Sequence, residues 1–269
     1  MRFNVVRDCA AETLEDVQGR ADPRAIPIQR VGVKAVRHPL RIADRAGHQQ
    51  QVAAYCNMYV GLPAHLKGTH MSRFLQILQE QEEALRVDNF DRLLVQTQER
   101  LEAESARIEL QFPYFVRKKA PVSGVESYLD YEVEWSGEIT GDESRSQLLV
   151  HVPVTSLCPC SKSISEYGAH NQRSRVSVQV EARSPLWIED LIDLVESEAS
   201  SQLYGVLKRP DEKYVTEYAY DHPKFVEDMV RDVALRLQQD SRIRRYSVAS
   251  ENFESIHNHS AYAFIEGEN

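Results

Sequence analysis

The chain has 269 residues, 42% of them apolar and 27% charged, with a net charge of −9; that is enough to bury a substantial core in one large or two modest domains. The acidic balance excludes a broad nucleic-acid surface, which needs basic stripes, so any phosphate ligand must be met by a local cluster of Lys and Arg. No apolar run reaches the roughly 18 residues a membrane span needs, and the polar, acidic start is unlike a secretory signal, which predicts a cytoplasmic protein.

Residues 1–25 carry charge without periodicity and read as an N-terminal arm. "PIQRVGVKAVRHPLRI" (27–42) and "HQQQVAAYCNMYVGLP" (48–63) predict two strands around a polar turn. Met71, Phe74, Leu75 and Leu78 follow at helical spacing and predict one apolar stripe. A second helix is predicted to open at Asn89, a good N-cap, with Phe90, Leu93, Leu94 and Leu101 on one side. "ARIELQFPYFV" and "SYLDYEVEWSG" then read as strands, so residues 26–140 have the order ββααββ.

Residues 141–269 repeat that order. "SQLLVHVPVTSL" (146–157) predicts a strand, and Pro153 within it points to an edge or a bulge. "RSRVSVQVEA" (173–182) alternates strictly, with Val176, Val178 and Val180 on one face and Ser177, Gln179 and Glu181 on the other. Two helices follow, one with Pro185 at its first position and one with an early Pro223 and a Val226/Met229/Val230/Val233/Leu237 stripe. Between them "KRPDEKYVTEYAY" reads as a loop, and "SRIRRYSVAS" and "SAYAFIEG" close the set as strands. The predicted class is α+β, with two ββααββ units built on antiparallel sheets. Such sheets leave one face and both edges uncovered, and association of several copies into a β-barrel would cover them.

With no secretory signal expected, the four cysteines are not predicted to form a disulfide framework. Cys56 reads as a small core residue and Cys9 lies in the arm. Cys158 and Cys160, in "LCPCSKSISEYGAHNQRSR", differ: they flank one proline and precede His170 by twelve and ten residues. An extended chain would aim both thiols the same way, and a turn would separate them. Thiolate and imidazole together suit Zn²⁺, Fe²⁺ or a similar ion, and the spacing fits an open, catalytic site rather than a zinc finger. Glu251, Glu254, His257 and His259 in "ENFESIHNHSAY", and Asp211, Glu212 and Glu217 in the predicted loop, could supply further ligands. His257 and His259 alternate along a predicted strand edge. Each cluster alone has a bland surface reading; three of them within one half of the chain favour a site. Glu227 sits at the boundary of its helix's apolar stripe. Lys162, Arg173, Arg175, Lys208 and Arg209 offer the local positive charge a triphosphate requires.

"TSLCPCSKSISEYGAHNQRS", with "GTHMSRF" (68–74), "DEKYVTEYAYDHPKFVEDMVRD" (211–232) and "ESIHNHSAYA" (254–263), closely resembles GTP cyclohydrolase type IB from about residue 25 to 265. The resemblance implies a tunnelling fold, a homotetramer with active sites between subunits, and hydrolysis of GTP to 7,8-dihydroneopterin triphosphate and formate, the first step of folate biosynthesis. It implies a divalent metal (Zn, Mn or Fe) held by Cys158, His170, Glu212 and His257, with Glu254 and His259 as alternative ligands or proton shuttles. Cys160 would stand beside the metal as a catalytic partner. Glu227 would hold the guanine edge, and Lys162, Arg173 and Arg73 (the last from the other half or a neighbouring subunit) would meet the triphosphate. No nucleic-acid or membrane partner is expected. A tunnelling-fold nitrile reductase, or a non-enzymatic metal-binding module, are the competing readings.

Overall fold

The computed structural model describes residues 15–269; Cys9 and most of the predicted arm lie outside them. Strands β1 (Ile28–Ala43), β2 (Gln49–Leu62), β3 (Ser105–Lys119), β4 (Glu126–Thr140), β5 (Glu143–Leu157), β6 (Asn171–Ala182), β7 (Ser201–Gln202), β8 (Ile243–Asn252) and β9 (Ala261–Glu268) form one antiparallel sheet. Its order is β1-β2-β3-β4-β5-β6-β8-β9, with β7 pairing β5. Helices α1 (Met71–Gln79), α2 (Phe90–Arg100), α3 (Pro159–Ile164), α4 (Ile188–Glu198), α5 (Arg209–Asp221) and α6 (Val226–Gln239) complete the chain. Up to Thr140 the elements run β1β2α1α2β3β4. The second half carries α3, β7 and α5 beyond the predicted order.

Strict alternation makes the sheet one-sided. Val52, Ala54, Cys56, Met58 and Val60 on β2 and Val176, Val178 and Val180 on β6 join one apolar cluster with α1, α2, α4 and α6. Cys56 is the core residue its neighbours predicted, and burial pushes its thiol up to about 12. Helix α2 packs closely on β4 at Gly137, where an added Cβ would lie 2.6 Å from the Phe90 ring. The other face is polar: Arg107, Glu109, Glu134, Gln147 and Gln179 line a groove of about 340 Å³. Edge strand β9 leaves Tyr262 and Phe264 exposed.

The two halves share the sheet. β4 pairs β5 from Glu132↔His151 to Thr140↔Glu143. Lys118 on β3 and Tyr131 on β4 both donate to Glu196 Oε1 on α4, at 2.6 and 2.7 Å. Burial pulls the Lys118 ammonium below its ordinary range against the opposing pull of Glu196.

Several local expectations change. On α1 the buried residues are Phe74, Ile77 and Leu78, while Met71 and Leu75 are exposed: the stripe is rotated toward Ile77. Pro185 and Pro223 precede their helices rather than open them. Asp190 accepts the backbone N–H of Trp187 at 3.3 Å, and Asp228 that of Phe225 at 3.0 Å, so a carboxylate three residues inside sets each start. "KRPDEKYVTEYAY" is helix α5 and not a loop, capped in the same way by Asp211 on Lys208 N–H at 2.8 Å. It buries only Asp211 and Ala219, so no apolar periodicity announced it. Pro153 lies in a central strand, in the gap where the β4 ladder has ended at His151 and β7 begins at Val154.

Candidate active site

β5 delivers the chain to Cys158, which stays extended as the N-cap of α3, with Pro159 at the first helical position. The Cys-Pro-Cys segment is therefore a turn, with Cys158 half-buried and Cys160 exposed. Cys158 Sγ accepts the Ser161 N–H at 3.5 Å. Cys158 N–H donates to the His170 carbonyl at 3.1 Å, and His170 N–H donates to Ser161 Oγ at 3.2 Å. The twelve-residue spacing thus folds back and sets His170 against the base of α3.

His170 Nδ1 lies 3.0 Å from Gln172 Oε1 and 3.4 Å from Ser255 Oγ. The second contact ties the 253–260 segment, which carries Glu254, His257 and His259, to the cysteine loop. That segment is a loop between β8 and β9, not a strand edge; even so, the two histidine rings stack with centroids 5.1 Å apart.

Beneath the loops, the sheet interior turns polar. Along β6 the buried face reads Val180, Val178, Val176, Ser174, Gln172; along β8 it reads Val248, Ser250, Asn252; on β5, Val154 gives way to Ser156. Ser174 Oγ lies 2.8 Å from both Ser156 Oγ and Asn252 Oδ1. With one hydroxyl proton, it donates to Asn252 and accepts from Ser156. None of these residues was picked out from sequence. The available signal was that Gln172 and Ser174 continue the valine face of β6 at a spacing of two.

The remaining candidates are dispersed. Glu212 is exposed on α5, while its neighbour Asp211 is fully buried. Burial alone would raise the Asp211 carboxyl, but hydrogen bonds from Ser123, Lys208 and Val122 outweigh it and hold the group well below its ordinary value. Asp211 is thus structural. Glu217 is exposed beside Lys213, and Glu251 pairs with Arg175 at 3.1 Å. Glu227 is exposed in the first turn of α6. Lys162 Nζ caps the carbonyl of Tyr220 at the end of α5 and lies 4.3 Å over its ring. Arg173 is exposed, with no ion-pair partner among the described residues. Arg73 sits on α1, bound to the Arg100 carbonyl at 3.1 Å and to Glu102 at 3.3 Å. α1 packs on β1, at the opposite sheet edge from β9. Lys208 and Arg209 are exposed at the start of α5.

Among the described residues, no three His, Cys, Asp or Glu side chains gather as a metal-holding group. Cys158 and His170 are brought together; Glu212 and His257 do not complete a single cluster with them in one chain. The physical reason is local: buried Asp211 fixes α5 with Glu212 on its exposed side, and His257 stands on an exposed loop. A groove of about 580 Å³ elsewhere, between α4 and α6, is lined by Arg45, Asp190, Asp193, Arg236, Asp240 and Arg242, but its cations are already paired with carboxylates.

Among the described residues, no helix is long and apolar enough to cross a membrane. The fold is similar to that of uricase from Arthrobacter globiformis (TM-score 0.53, 11% identity, 90% of this chain and 93% of that one) and of uricase from Bacillus fastidious (TM-score 0.53, 9% identity, 90% and 94%). At that identity the likeness concerns the fold alone. In sequence, the chain is 60% identical to GTP cyclohydrolase FolE2 of Nitrosococcus oceani over 99% of its own length and 100% of the relative's. It is 59% identical to GTP cyclohydrolase FolE2 of Halorhodospira halophila, over 94% and 98%. The family model for type I GTP cyclohydrolase folE2 matches residues 14–263. The cysteine loop, the α5–α6 segment and the 253–260 loop all fall inside that match, and the chain belongs to the type I GTP cyclohydrolase FolE2 family.

Proposed function

We propose that this chain hydrolyses GTP to 7,8-dihydroneopterin triphosphate and formate, as the first step of folate biosynthesis. The observation that carries the reading is the convergence of Cys158, His170 and the Glu254–His259 loop at one end of the sheet, in a chain of this family. Opening the guanine imidazole ring consumes one water at C8 and a second at the resulting formamide, which leaves as formate; closure of the pterin ring releases one.

The donor set suits a divalent metal such as Zn, Mn or Fe. A thiol accepts a backbone N–H, and an imidazole whose Nδ1 is already engaged keeps Nε2 for a ligand. Cys158 and His170 would hold it, with Glu212 and His257 added, and once bound it would supply Lewis acidity. Glu254 and His259 stand in the loop from which protons can be moved onto and off the ring nitrogens. Exposed Cys160, two residues on from Cys158, would act beside the metal as a catalytic partner. Glu227, at the start of α6, would accept hydrogen bonds from guanine N1–H and the 2-amino group. Arg173 is available to the triphosphate; Lys162 would join it on releasing the Tyr220 carbonyl, and Arg73 would come from a neighbouring subunit.

That last requirement, the open edges β1 and β9 and the polar sheet face support a homotetramer whose sheets join into a barrel, the tunnelling-fold arrangement, with sites between subunits. The test is incubation of the purified protein with GTP. Formate release together with a pterin that fluoresces after oxidation is expected. Consumption of NADPH without formate would indicate a nitrile reductase instead, and neither signal would leave a binding module.

A further inference from the structure

We infer that Gln172 is the positioning residue that fixes the tautomer of His170, holding the proton on Nδ1 so that Nε2 presents a lone pair. The inference rests on the reading of His170 as a metal ligand, and its test separates the two. Gln172 is buried on β6, one strand residue beyond Asn171, where the interior face has changed from valine to polar groups. Its Oε1 faces His170 Nδ1 at 3.0 Å, and an amide oxygen only accepts, so the ring nitrogen must donate. Ser255 Oγ, at 3.4 Å from the same nitrogen, is the weaker second partner and can accept from that N–H as well.

The placement of the amide is not incidental. The backbone of His170 is held separately, by its carbonyl to Cys158 N–H and its N–H to Ser161 Oγ. The ring therefore keeps two freedoms, rotation and proton position, and Gln172 restricts both. A free imidazole favours the proton on Nε2, which would block the nitrogen opposite Gln172 from any cation. A neutral amide engaging the other nitrogen reverses that preference and leaves the ring in the orientation a ligand needs.

The experiment uses the full chain, freed of metal by a chelator, with NMR of isotope-labelled imidazole nitrogens and His170 assigned by comparison with His170→Asn. Wild type is expected to show His170 protonated at Nδ1. Gln172→Leu should convert it to a mixture dominated by the Nε2-protonated form and weaken Zn²⁺ binding, measured by chelator competition, about 10- to 100-fold. Gln172→Glu, which keeps the acceptor, should retain the Nδ1 proton and the affinity. An Nε2-protonated wild type, or a Gln172→Leu variant with its tautomer unchanged, overturns the inference. If Gln172→Leu fails to fold, Gln172→Asn, which withdraws the amide by one methylene, takes its place with the same expected shift. A tautomer that moves while Zn²⁺ affinity does not would leave the positioning role standing and remove His170 from the ligand set.

Discussion

The two halves of the sheet bury their strands in the same way but fill the interior differently. In the first half the buried polar side chains are few and local. Asn89 bonds to the Ala84 carbonyl and the Arg86 amide near its own helix, and Thr97 returns its hydroxyl to Leu93 four residues back; Lys118 is spent on the second half. In the second half, Ser156, Ser174 and Asn252 are joined across three strands, and Gln172, on the same buried face of β6, separately engages His170. Buried hydroxyl and amide groups that must satisfy one another restrict geometry more than valines do. The difference teaches where rigidity is directed: the first half is built to be stable, and the second to hold loops in one arrangement.

Substitutions can break that contrast. The largest effect is expected from Cys158→Ala, which should lower formate release by at least about 100-fold and reduce bound metal, because a Lewis acid contributes several kcal/mol to such a barrier; full occupancy and rate would remove Cys158 from the site. Glu227→Ala comes next, raising KM for GTP roughly tenfold to a hundredfold through an unpaired guanine edge. Steady-state kinetics with an unchanged KM would exclude it.

Stability measurements sharpen the comparison further. Ser174→Val strands Asn252 and Ser156 and should cost about 1–3 kcal/mol in urea unfolding. Thr97→Val, its counterpart in the first half, should cost under about 1 kcal/mol, since Leu93 keeps its helical donor. Equal costs would mean that the polar interior of the second half has no special role. The smallest effect is a change in pH dependence. The Asp211 carboxyl is depressed in the folded state, so its contribution is complete above the ordinary value of 3.8 and is lost as the pH falls below it. Asp211→Asn should flatten the acid limb of the stability profile. An acid limb identical to wild type would show that α5 is held by other contacts.

Much of this was legible in the sequence. Strict alternation gave β6 and its buried valines, and the motifs around Cys158, His170 and Glu254 pointed to the loops that meet. What escaped did so for identifiable reasons. α5 docks through a carboxylate and one alanine and has no apolar stripe to read. The starts of α4, α5 and α6 follow an aspartate at the third position, a weaker signal than the prolines nearby. The rotation of α1 toward Ile77 depends on where β1 lies.

The sequence by itself determined the alternating faces, the element order of the first half and the family, because these follow from residue periodicity and from long motifs within single segments. Only the tertiary structure decided that Asp211 is structural while Glu212 next to it is exposed, that Lys162 is spent on a helix end, and that Gln172 faces His170. Those outcomes depend on which groups from distant segments meet, and a hydrogen bond between strands or loops leaves no mark on the spacing of either one.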